Sequence, residues 1–373
     1  MLVVNKYLFP SLLCLFGFVS QVAGDDLTPL SDEFEDAASL SEWSRIYQTE
    51  GWGADQMESV DIGQSREGHL TVVPRTSSWY RDFRGILMYK LVEGDFVVTM
   101  SVEPRNRAGD AAPAASYSLA GIMARAPRES VTEPAEWTRG GENYVFLSLG
   151  TANDPGSYQF EVKTTRQSVS SLGIDEGAAS ALIQVARVGD VFLVLRQLEG
   201  GEWEVHRRYE RPDMPDTLQV GITAYTDWES ISNMDAFDHN RTVVEGGSPD
   251  LSAAVDYFRF RRPRIPSWLE GADFMDSTEV SDERVVELFA NRSNRDPSAP
   301  PEFDLEILSR RHLPGEGIQL EVASVPGYFY RVESSGNLEN WVTVDEREAV
   351  SDSVLFTVPE RSAAAMYLRV VEE

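Results

Sequence analysis

The sequence predicts an all-β protein made of antiparallel sandwiches, and three observations carry that expectation. Between Asp25 and about Pro263, short alternating strand patterns follow one another with no convincing helical stretch. Gly, Pro, Asn and Asp punctuate those patterns where hairpins need tight turns. After a proline-framed interruption, the final 71 residues return to strand patterns.

In chain order, residues 1–24 read as a cleaved export signal. Lys6 precedes an apolar run over residues 7–19, and Val22-Ala23-Gly24 sets small or moderate residues before Asp25. The run is shorter than the roughly 20 residues a membrane-spanning helix needs, so no membrane insertion is expected after cleavage. Cys14 follows Leu13, where a lipoprotein signal places a small residue, so lipidation is not expected. Beyond residue 24 no cysteine remains, which excludes disulfides, thiolate metal sites and a cysteine nucleophile. A formal charge of −28 argues against nucleic acid and anionic membranes as partners. Positive charge is almost all guanidinium, because Lys6, Lys90 and Lys163 are the only lysines.

The clearest strand pair lies in residues 143–163, where an Asn-Asp-Pro-Gly turn joins two alternating runs. Tyr158, Phe160 and Val162 point one way and Gln159, Glu161 and Lys163 the other, as in a half-buried antiparallel strand. Residues 96–102, 218–224 and 255–260 repeat the pattern, and Arg187-Val188-Gly189-Asp190 and Glu199-Gly200-Gly201-Glu202 bracket another strand as hairpin turns. Prolines 263, 266, 297, 300 and 301 frame an acidic segment, 264–302, read as a linker with one short docking helix over 282–291. Strand patterns at 318–322, 328–333, 354–358 and 366–371 suffice for a small second β-sandwich over 303–373, with Trp341 expected in its core.

With these residues in view, 25–263 resembles the concanavalin-like, laminin-G-like jelly rolls of secreted bacterial proteins. The likeness rests on Asp32-Glu33-Phe34 before Trp43, on Trp79-Tyr80-Arg81-Asp82-Phe83-Arg84-Gly85 leading into Gly94-Asp95-Phe96, and on Ala120-Gly121-Ile122-Met123-Ala124-Arg125. The hairpin ending in Gly201-Glu202-Trp203 and the closing Asp256-Tyr257-Phe258-Arg259-Phe260 complete it. The resemblance implies a two-sheet jelly roll whose concave face holds sugar in lectins and some glycan-cleaving enzymes, in an extracellular, periplasmic or cell-surface setting. The Glu-x-Asp-x-x-Glu strand of catalytic members does not occur. The C-terminal stretch resembles immunoglobulin- or fibronectin-like modules through Tyr330-Arg331-Val332-Glu333, Asn340-Trp341 and Tyr367-Leu368-Arg369-Val370, which implies a spacer or attachment unit.

The site expectations follow from chemistry. Sugar recognition combines aromatic faces with planar polar groups, and Trp79, Tyr80, Arg81 and Arg84 bring both together, with Tyr144 and Trp228 near long loops. Trp137 and Tyr225 are further aromatics of this kind. Extracellular polysaccharide or oligosaccharide is thus the expected partner, bound without catalysis. Two rivals stand beside it: a glycan-cleaving hydrolase or lyase using Glu142, Glu161 or Asp227, and a surface structural or adhesion protein. Structural calcium is the one cofactor the residues allow, with Asp32 and Asp256 as ligands or the loop of Asp235, Asp238 and Asn240 as a second candidate. Neither set matches a dedicated calcium loop, and solvated acidic surface is the default reading of both. His69, His206, His239 and His312 lack metal-ligand spacing and are expected at the surface.

Overall fold

The computed structural model describes residues 2–5, 26–198, 200–263, 265, 269–290, 307–313, 317–324, 329–338, 340–350, 353–359 and 365–372. The chain divides into two compact units, the larger spanning Asp25–Pro263 with Ala272–Pro297 and the smaller Met1–Gly24, Arg264–Gly271 and Ser298–Glu373.

The larger unit is an antiparallel jelly-roll sandwich of two seven-stranded sheets. In the first, the order is Val169–Glu176, Gln159–Arg166, Tyr144–Thr151, Ser118–Arg125, Thr217–Tyr225, Ile86–Glu93 and Ser44–Arg45. In the second it is Glu204–Glu210, Val191–Leu198, Ala181–Val188, Phe96–Arg105, Ser252–Arg261, Leu70–Pro74 and Met57–Ile62. Between them lies the main core, to which Ile122, Leu147, Phe160, Val162, Val98, Val185, Phe192 and Phe258 contribute. The period-2 alternation fixes which residues enter it, since neighbours along a strand point to opposite faces. Opening and closing segments meet where Asp32 bridges Phe258.

The first sheet departs from the half-buried expectation because its outer face is also covered. Leu87, Leu119, Met123, Tyr144, Phe146 and Tyr225 pack there against Ile46, Tyr47, Trp52, Trp79 and Trp137, which come from loops and one short helix, Ile46–Thr49. The sandwich therefore carries a third layer. Further short helices, Trp228–Ile231 and Ala236–Asn240, sit in the loop after Thr217–Tyr225.

Ala272–Pro297, read from composition as linker, belongs to the larger unit. Its helix Asp282–Val285 is capped by the Ser281 side chain and continues as a π-turn, Val286–Ala290. Phe289 packs on Phe274, and the Gln184 side-chain amide donates to the Phe289 carbonyl at 3.0 Å.

The smaller unit contains a three-stranded sheet, Ile307–Leu313, Gly317–Ala323 and Ser353–Val358, and a four-stranded sheet, Leu2–Asn5, Ala365–Glu372, Phe329–Ser335 and Val342–Glu348. They share a core of Leu320, Val322, Tyr330, Val332 and Phe356. Trp341 is half-buried outside that core, its indole N–H donating to the Leu338 carbonyl and the Arg369 guanidinium lying 4.4 Å from its ring. Leu2–Asn5 falls within the expected leader, most of which, Cys14 included, lies outside the described residues. No helix among the described residues is long and apolar enough to cross a membrane.

Two histidines expected at the surface are buried. His239 lies beneath Phe83, and His206 turns inward toward Phe160. Burial, and then the charges of Arg196 and Arg207, push the His206 imidazole from 6.5 down to about 4, against the opposing Asp175 carboxylate. Between those values the unfolded chain binds a proton that the folded chain does not. The stability this group contributes is complete above its unfolded pKa of 6.5 and is lost as the pH falls toward 4. The slope reaches about 1.4 kcal/mol per pH unit. Denaturant titrations at stepped pH should show this fall, and His206→Gln should flatten it.

Candidate functional site

The outer face of the first sheet holds two charged clusters, both buried. Arg84, Arg125, Glu142 and Glu50 form the first. Arg84 pairs with Glu50 and reaches Glu142 at 2.5 Å. Arg125 reaches Glu142 at 2.8 Å, Glu50 at 2.9 Å and the Gln219 amide oxygen at 2.6 Å. Arg128 approaches Glu142 at 3.3 Å from the loop. Burial alone would push the Glu142 carboxyl up, but the guanidiniums of Arg125, Arg84 and Arg128 outweigh it and hold it well below the usual carboxylate range.

Glu161, Lys163 and Tyr225 make the second cluster. Lys163 Nζ lies 2.8 Å from Glu161 and donates to the Trp79 carbonyl at 2.6 Å, while the Tyr225 hydroxyl donates to Glu161. Burial pushes the Lys163 ammonium down and the Tyr225 phenol well up, Glu161 opposing the first shift and reinforcing the second. The ammonium also sits 4.9 Å from the Phe146 ring and 5.6 Å from that of Tyr80.

Above this floor lie three half-buried aromatics, called the rim: Tyr80 and Trp228 in ring contact, and Tyr117 on a segment bonded to that of Trp228, with exposed Arg81 beside Tyr80. Tyr80 meets Trp228 edge-on at 5.5 Å, and Phe83 supports Trp228 at 5.3 Å. The Ser116 carbonyl accepts from the backbone N–H groups of Asp227 and Trp228 at 3.1 and 3.2 Å, which ties the Tyr117 segment to the Trp228 segment. Arg81, Tyr117 and Asp227 all take the left-handed backbone, with φ of 55°, 49° and 67°. Strain of this kind persists only where neighbours hold it. The Ser170 hydroxyl accepts from the Arg81 N–H at 3.0 Å, and the Asp227 carboxylate accepts from Thr76 Oγ1 at 2.9 Å and the Ser248 N–H at 2.6 Å.

Of the ligand residues expected from sequence, Tyr80, Arg81 and Trp228 thus come together at the surface, whereas Trp79, Arg84 and Tyr144 do not. Trp79 is fully buried, its indole N–H given to the Ile86 carbonyl at 3.0 Å and its ring against Tyr144 at 5.4 Å, so it has no free face for a sugar. Arg84 is committed to the charged cluster. Trp137 is likewise buried, stacked on Phe237.

The carboxylates proposed for catalysis are also dispersed among separate partners: Glu142 among arginines, Glu161 with Lys163 and Tyr225, Asp227 in the loop that precedes Trp228. The calcium pair does not converge either. Asp32 is buried, one oxygen accepting from the Phe34 N–H at 2.9 Å and the other from the Trp43 indole at 2.9 Å, while Asp256 is exposed beside His69. In the second candidate loop Asp235 caps its helix, Asp238 pairs with Arg241, and Asn240 is buried against Asp82. No group of three or more His, Cys, Asp or Glu among the described residues could hold a metal ion. Separately, a groove of about 410 Å³ beside Gln167, Arg166, Tyr209 and Glu210 contains none of the rim residues.

No family model matches the chain, and no curated protein does. Solved structures with a similar trace include a functionally unknown protein from Saccharomyces cerevisiae, at 14% identity and TM-score 0.40, with 60% of this chain and 98% of that one covered. The GH43 protein BlXynB from Bacillus licheniformis shows 16% identity and TM-score 0.42, covering 66% of this chain and 41% of that one. Lectin II from Ulex europaeus shows 11% identity and TM-score 0.38, covering 64% and 100%.

Two substitutions test the structural assignments. Trp79→Ala should lower unfolding free energy by about 3–5 kcal/mol, the cost of emptying an aromatic core site. Asp32→Ala should cost about 1–3 kcal/mol by leaving two buried donors unpaired, and the loss measured by denaturation should be the same with and without a chelator.

Proposed function

We propose that this chain is an exported, non-catalytic, lectin-like protein that holds extracellular glycan against the Tyr80, Tyr117 and Trp228 rim. The C-terminal strands would serve as an immunoglobulin- or fibronectin-like spacer or attachment unit. The observation that carries the reading is the rim itself: three part-exposed aromatic rings from separate loops, braced from below by the sheet and from the side by left-handed residues. Aromatic faces stack on the apolar faces of sugar rings, and a braced platform loses little conformational entropy when it binds. Glycan cleavage is the weaker reading, because acid–base hydrolysis needs two carboxylates facing one bond, and Glu142, Glu161 and Asp227 are each engaged by different partners.

A glycan array on the chain lacking residues 1–24 tests the proposal. Trp228→Ala should weaken binding more than about tenfold, about 1.4 kcal/mol, and should destabilise the fold less than Trp79→Ala does, because the ring is part-exposed although it packs on Phe83. Depolymerisation of a glycan in solution without retention on the array would overturn the binding reading in favour of cleavage.

A further inference from the structure

Among the described residues of the larger unit, Arg81 is the exposed arginine that lacks a counter-ion, as Arg310 and Arg311 do in the smaller unit. The other exposed arginines described between residues 26 and 263 are Arg66, Arg107, Arg139, Arg166, Arg207 and Arg241, and each pairs with a carboxylate. Among the described residues Arg81 pairs with none, in a chain holding 61 acidic residues against 33 basic ones. Its neighbour Asp82 is turned elsewhere, accepting from Ser168 Oγ at 2.6 Å and the Gly140 N–H at 2.9 Å. The Arg81 guanidinium lies instead 5.0 Å from the centre of the Tyr80 ring, and the same ring has the Lys163 ammonium 5.6 Å from its centre. A cation held over an aromatic ring in this way keeps its N–H groups free to donate.

Resting on the glycan-binding reading above, we infer that the rim selects acidic sugars, with Arg81 pairing the oxyanion substituent of a ring that stacks on Trp228 or Tyr117. A uronate carboxylate and a sulfate ester share the required chemistry, two or more oxygens able to accept from the guanidinium fork. The overall negative charge of the protein repels such glycans at long range. Over separations beyond about 8 Å at physiological salt that repulsion is largely screened, and the contact pair is left to decide.

Calorimetric titration with matched oligosaccharides tests this: an oligogalacturonate against its carboxyl-reduced form, and a sulfated galactan oligosaccharide against its desulfated form. The wild-type chain should bind the acidic member of at least one pair roughly tenfold more tightly, and which pair shows it identifies carboxylate or sulfate. Arg81→Gln should abolish that preference with the melting temperature unchanged, and Arg81→Lys should restore it only in part, since an ammonium lacks the planar fork. Equal binding of acidic and neutral members, or a preference that survives Arg81→Gln, overturns the inference and leaves the glycan-binding reading intact. Absence of binding to all four probes and across the glycan array overturns both.

Discussion

The buried ion network of Arg84, Arg125, Glu142 and Glu50 is the constraint on which the covered face of the first sheet depends. Removing one partner from such a set leaves an uncompensated charge in a dry site, which costs about 3–5 kcal/mol. Its members come from the segment after Ile46–Thr49, the loop carrying Trp79 and Tyr80, the strand Ser118–Arg125 and the loop before Tyr144–Thr151. Trp52 adds a further clasp, its ring 5.1 Å from the Arg84 guanidinium. The third layer and the sheet are thereby set in one arrangement, which also anchors, through Arg84, the segment that carries Tyr80.

This also explains what could be read from the sequence. Strand periodicity reports which residues share a face, and it identified the sandwich and the alternation of Phe160 and Val162 with Glu161 and Lys163. It does not report whether the polar face meets water. Glu161 and Lys163 look solvated because they alternate with apolar residues, yet loops distant in sequence cover them. The same ambiguity attaches to Trp79: beside Tyr80 and Arg81 a tryptophan reads as a sugar platform or as core, and only the layer above it decides for core. Asp32 resembled a metal ligand only while the two donors that occupy its oxygens were out of sight.

Tyr80, Arg81 and Trp228 were legible because aromatic and guanidinium groups in loops form a compositional signal that needs no tertiary knowledge. Tyr117 was not, since nothing local in Ala-Ala-Ser-Tyr marks a tyrosine in left-handed backbone. Its place comes from hydrogen bonds between the Ser116 carbonyl and a segment more than a hundred residues later. The rim is a tertiary object assembled from three weak local signals, one of them silent.

The scarcity of lysine gives the loop over the sheet a built-in clock. Lys90 is buried beside Trp43 and paired with Glu42, and Lys163 is sealed under the Trp79 carbonyl. An amine-acylating reagent therefore meets no freely exposed lysine among the described residues. Modification of Lys163 can proceed only when the segment carrying Trp79, Tyr80 and Arg81 lifts, so the extent of its labelling with time measures how often that segment opens. Covalent chemistry at a single ammonium thus becomes a readout of breathing in the fold, one that needs no engineered probe.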